Sequence, residues 1–339
     1  MTVKPTQLVH LGRASADAAN AINPPLVRAS TTTFPTLGEF KNSYKGVTFE
    51  TPRYGRTGTS TVFELQMAMA TLCATESCIA TASGLSAIAA VIGAHAGPGK
   101  RILIQDCVYG PTRVLAEKEL RKLGSEAVFF DTLNALETHI DERTALVFVE
   151  VPGSLTMDMI DVGAVCKLAK RHDVPVACDS SWGTSLFFDA HNFGVNISIH
   201  AATKYIGGHS DIILGLLTGS YEDLASTREW CAHFGSTAAP DVCWLGLRGL
   251  RTLDVRMRRH EENARHVALV LFPPKEQSAR DLIAGLSSVW LLFSKAAMSS
   301  LTRLGPSLEA DRGPSSASLG FPRHPALLAL GSEDLMLPP

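Results

Sequence analysis

Residues 100–131, KRILIQDCVYGPTRVLAEKELRKLGSEAVFFD, contain the repeating unit that decides the fold. The apolar run at 100–106 predicts a strand, and the run at 126–131 predicts a second one. Between them, residues 111–124 have helical periodicity, with a proline at the first position and a glycine at the last. A strand, a helix and a strand at this spacing predict two parallel strands joined by a covering helix.

The same unit recurs farther along the chain. Residues 144–151 and 174–179 are predicted strands, and residues 161–173 between them are a predicted helix. Short apolar runs alternate with helix-length amphipathic segments from about residue 78 to residue 220. We therefore expect an α/β protein with a mostly parallel sheet wrapped by helices, in which ligands bind at the carboxyl ends of the strands.

The composition excludes several classes of function. The 339 residues are 45% hydrophobic and carry a formal net charge of −2, so the chain lacks both the composition of a disordered protein and the basic field of a nucleic-acid-binding one. The seven scattered cysteines and eleven histidines show no disulfide framework and no metal-ligand spacing. No signal peptide, transit peptide or membrane-spanning run is recognisable. We expect a cytoplasmic protein that acts on a small molecule, with no metal and with neither nucleic acid nor membrane as a partner.

The chain is expected to have three parts. Residues 1–50 are rich in Pro and Thr and predict an extended arm that packs on a neighbouring subunit. Residues 51–250 would form a large domain. Residues 251–339 would form a small C-terminal domain that is incomplete or rearranged, because the sequence beyond about residue 272 becomes dense in Gly, Pro and Ser.

Polar residues lie at the ends of three apolar, strand-like runs. Ser83 and Gly84 begin a helix after a short apolar run, and the free N–H groups of a helix start suit a phosphate. A buried strand ends on Asp179, and a buried carboxylate needs a partner. The run VNISIHAATK, residues 195–204, ends on Lys204. Taken singly, these residues are also typical of a helix cap, a turn and a solvated surface.

Together these groups are the ones that hold pyridoxal 5'-phosphate (PLP). A lysine forms the Schiff base, a carboxylate pairs with the pyridinium nitrogen, and a helix start takes the phosphate. Thr203, next to the lysine, would add a hydroxyl to the phosphate site. Tyr109, which follows the predicted strand 100–106, would stack on the face of the ring.

At these residues the sequence resembles the Cys/Met-metabolism family of PLP-dependent enzymes. The family motif A-T-K-Y-x-x-G-H-S-D matches residues 202–211, and the resemblance runs from about residue 5 to residue 271. It implies the aspartate aminotransferase-like fold type I of PLP-dependent transferases, with a mostly parallel seven-stranded sheet in the large domain. It also implies a role in cofactor binding for Lys204 (Schiff base), Asp179 (pyridine nitrogen), Gly84, Leu85 and Thr203 (phosphate), and Tyr109 (ring stacking).

The segment RYGRTGTST, residues 53–61, resembles the family segment that reaches into the neighbouring subunit's site. Tyr54 and Arg56 would therefore help to bind the cofactor phosphate of the adjacent subunit, where a guanidinium fork suits a phosphate. Tyr54, Tyr109 and Lys204 are the expected catalytic residues. The resemblance thus implies a homodimer or homotetramer with sites shared between subunits.

Residues 149–162, VEVPGSLTMDMIDV, resemble the bacterial β-lyases of the family, whereas its γ-synthases, γ-lyases and sulfhydrylases usually carry Asn-Pro there. Ala201, where many relatives have a serine, also fits the β-lyases. The resemblance implies cleavage of L-cystathionine to homocysteine, pyruvate and ammonia, a step of methionine biosynthesis. A γ-lyase or γ-synthase remains an alternative.

The C-terminal part departs from the family pattern. Relatives continue beyond the segment matching residues 256–271 into a small domain with a Ser-Trp-Gly-Gly stretch and an arginine that binds the substrate α-carboxylate, and neither motif is found here. Arg303, Arg312 and Arg323 are carboxylate candidates by residue type alone. A catalytically impaired paralogue that keeps the fold is therefore a further alternative.

Overall fold

The computed structural model describes residues 5–13 and 22–271. Within these residues, seven strands form one sheet: β1 (Ser77–Thr81), β2 (Arg101–Gln105), β3 (Glu126–Phe130), β4 (Thr144–Glu150), β5 (Val176–Asp179), β6 (Ile197–Ala201) and β7 (Gly215–Gly219). The same ranges contain the helices α1 (Pro5–His10), α2 (Leu37–Ser43), α3 (Ser60–Leu72), α4 (Gly84–His95), α5 (Gly110–Lys118), α6 (Leu133–His139), α7 (Val162–Lys170), α8 (Thr184–Phe187), α9 (Ala225–Phe234), α10 (Pro240–Leu250) and α11 (Leu253–Leu271). Most of the predicted C-terminal domain, with Arg303, Arg312 and Arg323, lies outside the described residues.

The sheet has the strand order β1-β7-β6-β5-β4-β2-β3. Strands β2 to β6 pair in parallel, and β7 is antiparallel to both of its neighbours, β1 and β6. The α/β class and the mostly parallel seven-stranded sheet predicted from the sequence are confirmed. A parallel sheet of this kind collects the carboxyl ends of its strands along one edge, which is where the polar residues lie.

Both faces of the sheet are covered by helices. Every residue of β1 and β7 is buried, as expected for strands with helices above and below. Alternate residues of β1 belong to different cores: Cys78 and Ala80 pack with residues of α3 and α10, whereas Ile79 packs with residues of α4 and α9. The period-2 geometry of a strand explains this division.

The strands predicted at 100–106, 126–131, 144–151 and 174–179 agree with the observed ones to within two residues at each end, whereas the run 195–204 contains the shorter strand β6, which ends at Ala201. The helix predicted at 111–124 is also shorter than expected. Helix α5 ends at Lys118, and a tighter 3-10 turn, Leu120–Leu123, follows it. This turn places Leu120 in the core, where only 1% of its surface is exposed. Gly124 then ends the segment with a left-handed φ of 78°, which glycine adopts readily.

The N-terminal region contains two short helices, α1 and α2, within the segment predicted to be an extended arm. Thr36 caps α2: its hydroxyl accepts the N–H of Glu39 and donates to the Glu39 carboxylate. Between the helices, residue Thr31 forms an isolated bridge with Tyr54. None of the helices described here is both long and apolar enough to cross a membrane.

Candidate active site

Four side chains meet at the carboxyl ends of β2, β4, β5 and β6. Glu150 ends β4 and Asp179 ends β5, and the two residues are partners in the parallel register. Tyr109 precedes α5 just beyond β2, and Lys204 lies just beyond β6 in a turn. The Lys204 Nζ is 5.8 Å from the centroid of the Tyr109 ring. The fold thus brings together three residues predicted from the sequence, Lys204, Asp179 and Tyr109.

Asp179 is a buried acid with one side of its carboxylate fixed by the backbone. Only 6% of its surface is exposed, and its Oδ1 accepts the N–H of Ser181 at 2.9 Å. Burial raises the pKa of Asp179, while hydrogen bonds from Ser181 and the charge of Lys204 act in the opposite direction. A carboxylate in this environment is stabilised by a cation, which is what the protonated nitrogen of a pyridine ring provides.

Glu150 is a site residue that the sequence analysis did not single out. Its Oε2 accepts the backbone N–H of Tyr109 at 2.7 Å, and only 3% of its surface is exposed. Burial, and then the neighbouring Asp179, raise its pKa to about 8. The available signal was its position at the end of a buried strand, the same position that pointed to Asp179.

The start of α4 lies close to the end of β6. The Ser83 hydroxyl caps α4 by accepting the N–H of Ser86 at 3.0 Å, and Gly84 follows as the first helical residue. A Cβ on Gly84 would lie 2.7 Å from the Ala201 Cβ, so glycine is required for this approach. The first N–H groups of a helix have no carbonyl partner within it, and here they lie beside the strand that leads to Lys204.

Thr203 and Leu85 are the other two residues of the described chain that were predicted to bind the phosphate at the start of α4. The Thr203 hydroxyl accepts the N–H of Leu214 at 3.0 Å and donates to the Leu214 carbonyl at 3.3 Å. The side chain of Leu85 is 38% exposed at the start of α4. Roles for Thr203 and Leu85 at a phosphate stay predictions.

Tyr54 and Arg56 lie together on the surface of the chain. The Arg56 guanidinium carbon is 6.0 Å from the centroid of the Tyr54 ring, and its Nη1 donates to the carbonyl of Ala232 on α9 at 2.7 Å. Tyr54 is 48% exposed. The contacts of this pair do not extend to Lys204 within the described chain, and its predicted role in an adjacent subunit's site stays a prediction.

Arg256 is a second residue that the sequence analysis missed. From α11, its guanidinium donates to the carbonyls of Tyr205 and Ile206 in the turn after Lys204, and to the carbonyl of Gly249 in α10. Gly208, at a φ of 75°, leaves the space that the guanidinium occupies. Arg256 therefore holds the turn that contains Lys204, Tyr205 and Ile206, here called the lysine turn, against α10 and α11.

The residues present fit PLP. The Lys204 amine faces an aromatic ring that can stack on the cofactor. Two buried carboxyl groups, those of Glu150 and Asp179, lie where a cationic ring nitrogen would offset their charge. Gly84 lets the start of α4 approach the end of β6, and the free N–H groups of that helix start suit a phosphate.

Comparisons with known proteins agree with this fit. The family model described as "Cys/Met metabolism PLP-dependent enzyme" matches residues 5–278. The cystathionine beta-lyase of Bordetella avium is 36% identical over 268 residues, which cover 77% of this chain and 68% of that protein. The L-alanine/L-glutamate racemase of Wolbachia pipientis wMel is 35% identical over 270 residues, which cover 77% of this chain and 67% of that protein.

A solved structure gives the same result for the fold. The crystal structure of cystathionine gamma-lyase from Lactobacillus plantarum complexed with L-serine superposes with a TM-score of 0.72 at 30% identity, over 79% of this chain and 68% of that one. The chain spans about two thirds of the length of each of these three proteins.

Proposed function

Because this chain belongs to the family of Cys/Met metabolism PLP-dependent enzymes, we propose that it is a carbon–sulfur β-lyase that cleaves L-cystathionine to homocysteine, pyruvate and ammonia. The observation that carries the proposal is the meeting of Lys204, Asp179 and Tyr109 around one space at the carboxyl edge of the sheet. The 36% identity to the Bordetella avium lyase and the P-G-S-x-T-M stretch at residues 152–157 support the β-lyase within the family. Such a reaction would serve methionine biosynthesis.

Each residue of the site has a task that its position permits. Bound PLP supplies an electron sink that stabilises the negative charge left at Cα when the α-proton departs. Asp179 holds a negative charge beside the ring nitrogen and so keeps a proton there. Lys204 would hold the cofactor through its Nζ, and the same atom would accept the α-proton. Tyr109 would stack on one face of the ring and so help to orient it.

Tyr54 and Arg56 are assigned to the neighbouring subunit's site in this proposal. Arg56 has a planar fork of donors that suits phosphate oxygens, and Tyr54 is exposed beside it. The active form would then be at least a homodimer, because each chain would complete the phosphate site of the other. Mixing a Lys204→Ala chain with an Arg56→Ala chain tests this, since only shared sites would restore activity in the mixed dimer.

The products released from L-cystathionine test the proposed reaction. The cofactor-loaded protein is incubated with L-cystathionine, and the keto acids and thiols are separated and identified by mass. A β-lyase releases equal amounts of pyruvate and homocysteine, whereas a γ-lyase releases 2-oxobutyrate and cysteine. The Lys204→Ala protein serves as the control. A folded, cofactor-loaded sample that releases no keto acid contradicts the proposal and favours the catalytically impaired alternative.

A second candidate function is amino-acid racemisation, favoured by the 35% identity to the Wolbachia racemase. Both reactions begin with removal of the α-proton, and Lys204 is placed to take it in either case. Racemisation returns a proton to the opposite face of Cα instead of expelling a thiolate. Incubation with L-alanine in D₂O separates the two, because only a racemase produces deuterated D-alanine at a rate comparable with its exchange of the α-proton.

A further inference from the structure

Glu150 connects two of the strand ends that border the cofactor space. Its Oε2 accepts the N–H of Tyr109 at 2.7 Å, so it fixes the backbone from which the aromatic ring projects. Its own N–H donates to Oε1 of Gln105 at 3.1 Å, which joins β4 to β2. With only 3% of its surface exposed, Glu150 is held by protein contacts.

Glu150 also lies beside the second buried acid of the site. Glu150 and Asp179 are register partners on the parallel strands β4 and β5, so their side chains project from the same face of the sheet. Strands of this kind lie about 4.8 Å apart. When two carboxyl groups lie so near each other in a buried site, they do not both ionise unless a cation offsets their repulsion.

The titratable groups around Glu150 come from three elements. They are Asp179 and Cys178 of β5, Lys204 after β6 and Cys107 after β2. Burial raises the pKa of the Cys107 thiol to about 12 and that of Cys178 further, so both thiols are neutral at ordinary pH. Lys204 supplies the positive charge in this set, and it is the residue whose amine the cofactor engages.

We propose that Glu150 is a positioning residue whose carboxyl group fixes Tyr109 and holds a proton beside Asp179 until the cationic ring of the cofactor enters the site. On binding, the carboxyl O–H bond breaks, its proton passes to water, and the carboxylate remains to offset the charge of the ring. This inference rests on the cofactor site of the proposed enzyme and not on the identity of its substrate.

The sign of the pH dependence follows from the environment of the carboxyl group. Burial and Asp179 raise the pKa of Glu150 to about 8 before the cofactor binds. A nearby ring cation favours the ionised form and lowers that pKa. A group whose pKa falls on binding makes binding tighter as the pH rises, until the pH exceeds its unbound pKa. The gain from Glu150 is therefore complete above about pH 8, decreases as the pH falls below that value, and is absent below the bound-state pKa.

The dissociation constant of PLP, measured between about pH 6 and pH 9 by equilibrium dialysis, tests the inference. Glu150→Gln keeps an oxygen for the N–H of Tyr109 but cannot ionise. We expect this variant to match the wild type near pH 6 and to bind PLP about tenfold more weakly near pH 9, the effect of a shift of one pKa unit. Glu142→Gln, an exposed change in the turn just before β4, is the matched control and should follow the wild type throughout.

A second variant tests the contact with Tyr109. Glu150→Leu removes the acceptor as well as the charge, so we expect weaker PLP binding at every pH. If Glu150→Gln follows the wild-type curve across the whole pH range, or is weaker by the same factor at every pH, the inference is overturned. These measurements contain no substrate, so their outcome is independent of whether L-cystathionine is cleaved.

Discussion

The Nζ of Lys204 lies 5.8 Å from the centroid of the Tyr109 ring, although the two residues follow strands that are not neighbours. Lys204 follows β6 and Tyr109 follows β2, with β5 and β4 between them in the sheet. The ends of β5 and β4, where Asp179 and Glu150 lie, are therefore between Lys204 and Tyr109 along the edge of the sheet. The carboxyl edge of the sheet thus offers an amine, an aromatic face and two acids to a single planar ligand.

The stacking role of Tyr109 predicts different outcomes for two substitutions. Tyr109→Phe keeps the ring and should leave the dissociation constant of PLP within about threefold of the wild-type value. Tyr109→Leu removes the stacking, worth about 0.5–1.5 kcal/mol, and should weaken binding by about two- to twelvefold. Fluorescence titration with PLP provides the measurement. Equal effects of the two variants would exclude a stacking role.

The buried charge of Asp179 predicts a loss of turnover that exceeds the loss of cofactor. Asp179→Asn keeps an acceptor for the N–H of Ser181 but removes the negative charge from the ring nitrogen. We expect keto-acid release from L-cystathionine to fall by about 10²-fold or more in a sample that still binds PLP. Asp173→Asn, an exposed change before the start of β5, is the matched control. Wild-type turnover in Asp179→Asn would refute the pairing with the ring.

Because Gly84 lies close to Ala201, we predict that a single added methyl group disturbs the proposed phosphate site at the start of α4. Gly84→Ala places a Cβ 2.7 Å from that of Ala201, and overpacking of this kind costs about 1–3 kcal/mol. We expect a lower free energy of unfolding in urea and weaker PLP binding. Gly38→Ala, in the helix α2, would bring its Cβ only to an ordinary 3.7 Å contact with the Thr36 Oγ1 and should be neutral or stabilising. Unchanged stability in Gly84→Ala would mean that the helix start can move away from β6.

The hydrogen bonds of Arg256 predict that a residue of α11 affects the lysine turn. Arg256→Met leaves the carbonyls of Tyr205 and Ile206 without their donor and should lower the free energy of unfolding by about 2–3 kcal/mol. PLP binding should weaken as well, because the turn carries Lys204. Arg258→Met, which breaks only an exposed pair with Asp254, should change stability by less than about 1 kcal/mol. Similar results for both variants would argue against a specific role for Arg256.

The sheet, Asp179 and Lys204 were predictable because strong apolar periodicity marks the strands and each residue lies at or just beyond a strand end. Glu150 also ends such a strand, but its importance depends on its hydrogen bond to Tyr109. That bond exists because β4 lies next to β2, and periodicity does not specify the order of strands in a sheet. The sequence alone therefore identified the acid at the end of β5 and not its partner at the end of β4.

Contacts between distant segments escaped prediction for the same reason. Arg256 reaches carbonyls in the turn after Lys204, and a helical pattern at residues 253–271 does not indicate which loop the helix packs against. The end of α5 at Lys118 was missed because residues 119–123 continue a good helical composition, and the burial of Leu120 decides the local turn instead. Tertiary packing overrode local propensity at that point.

The most direct test is to mix the purified protein with PLP, record its visible absorption spectrum, reduce it with borohydride and locate the modified peptide by mass. We expect a band that Lys204→Ala abolishes and, after reduction, a phosphopyridoxyl group on Lys204. A band that persists in Lys204→Ala, or modification of another lysine in the wild type, would contradict the assignment of this site.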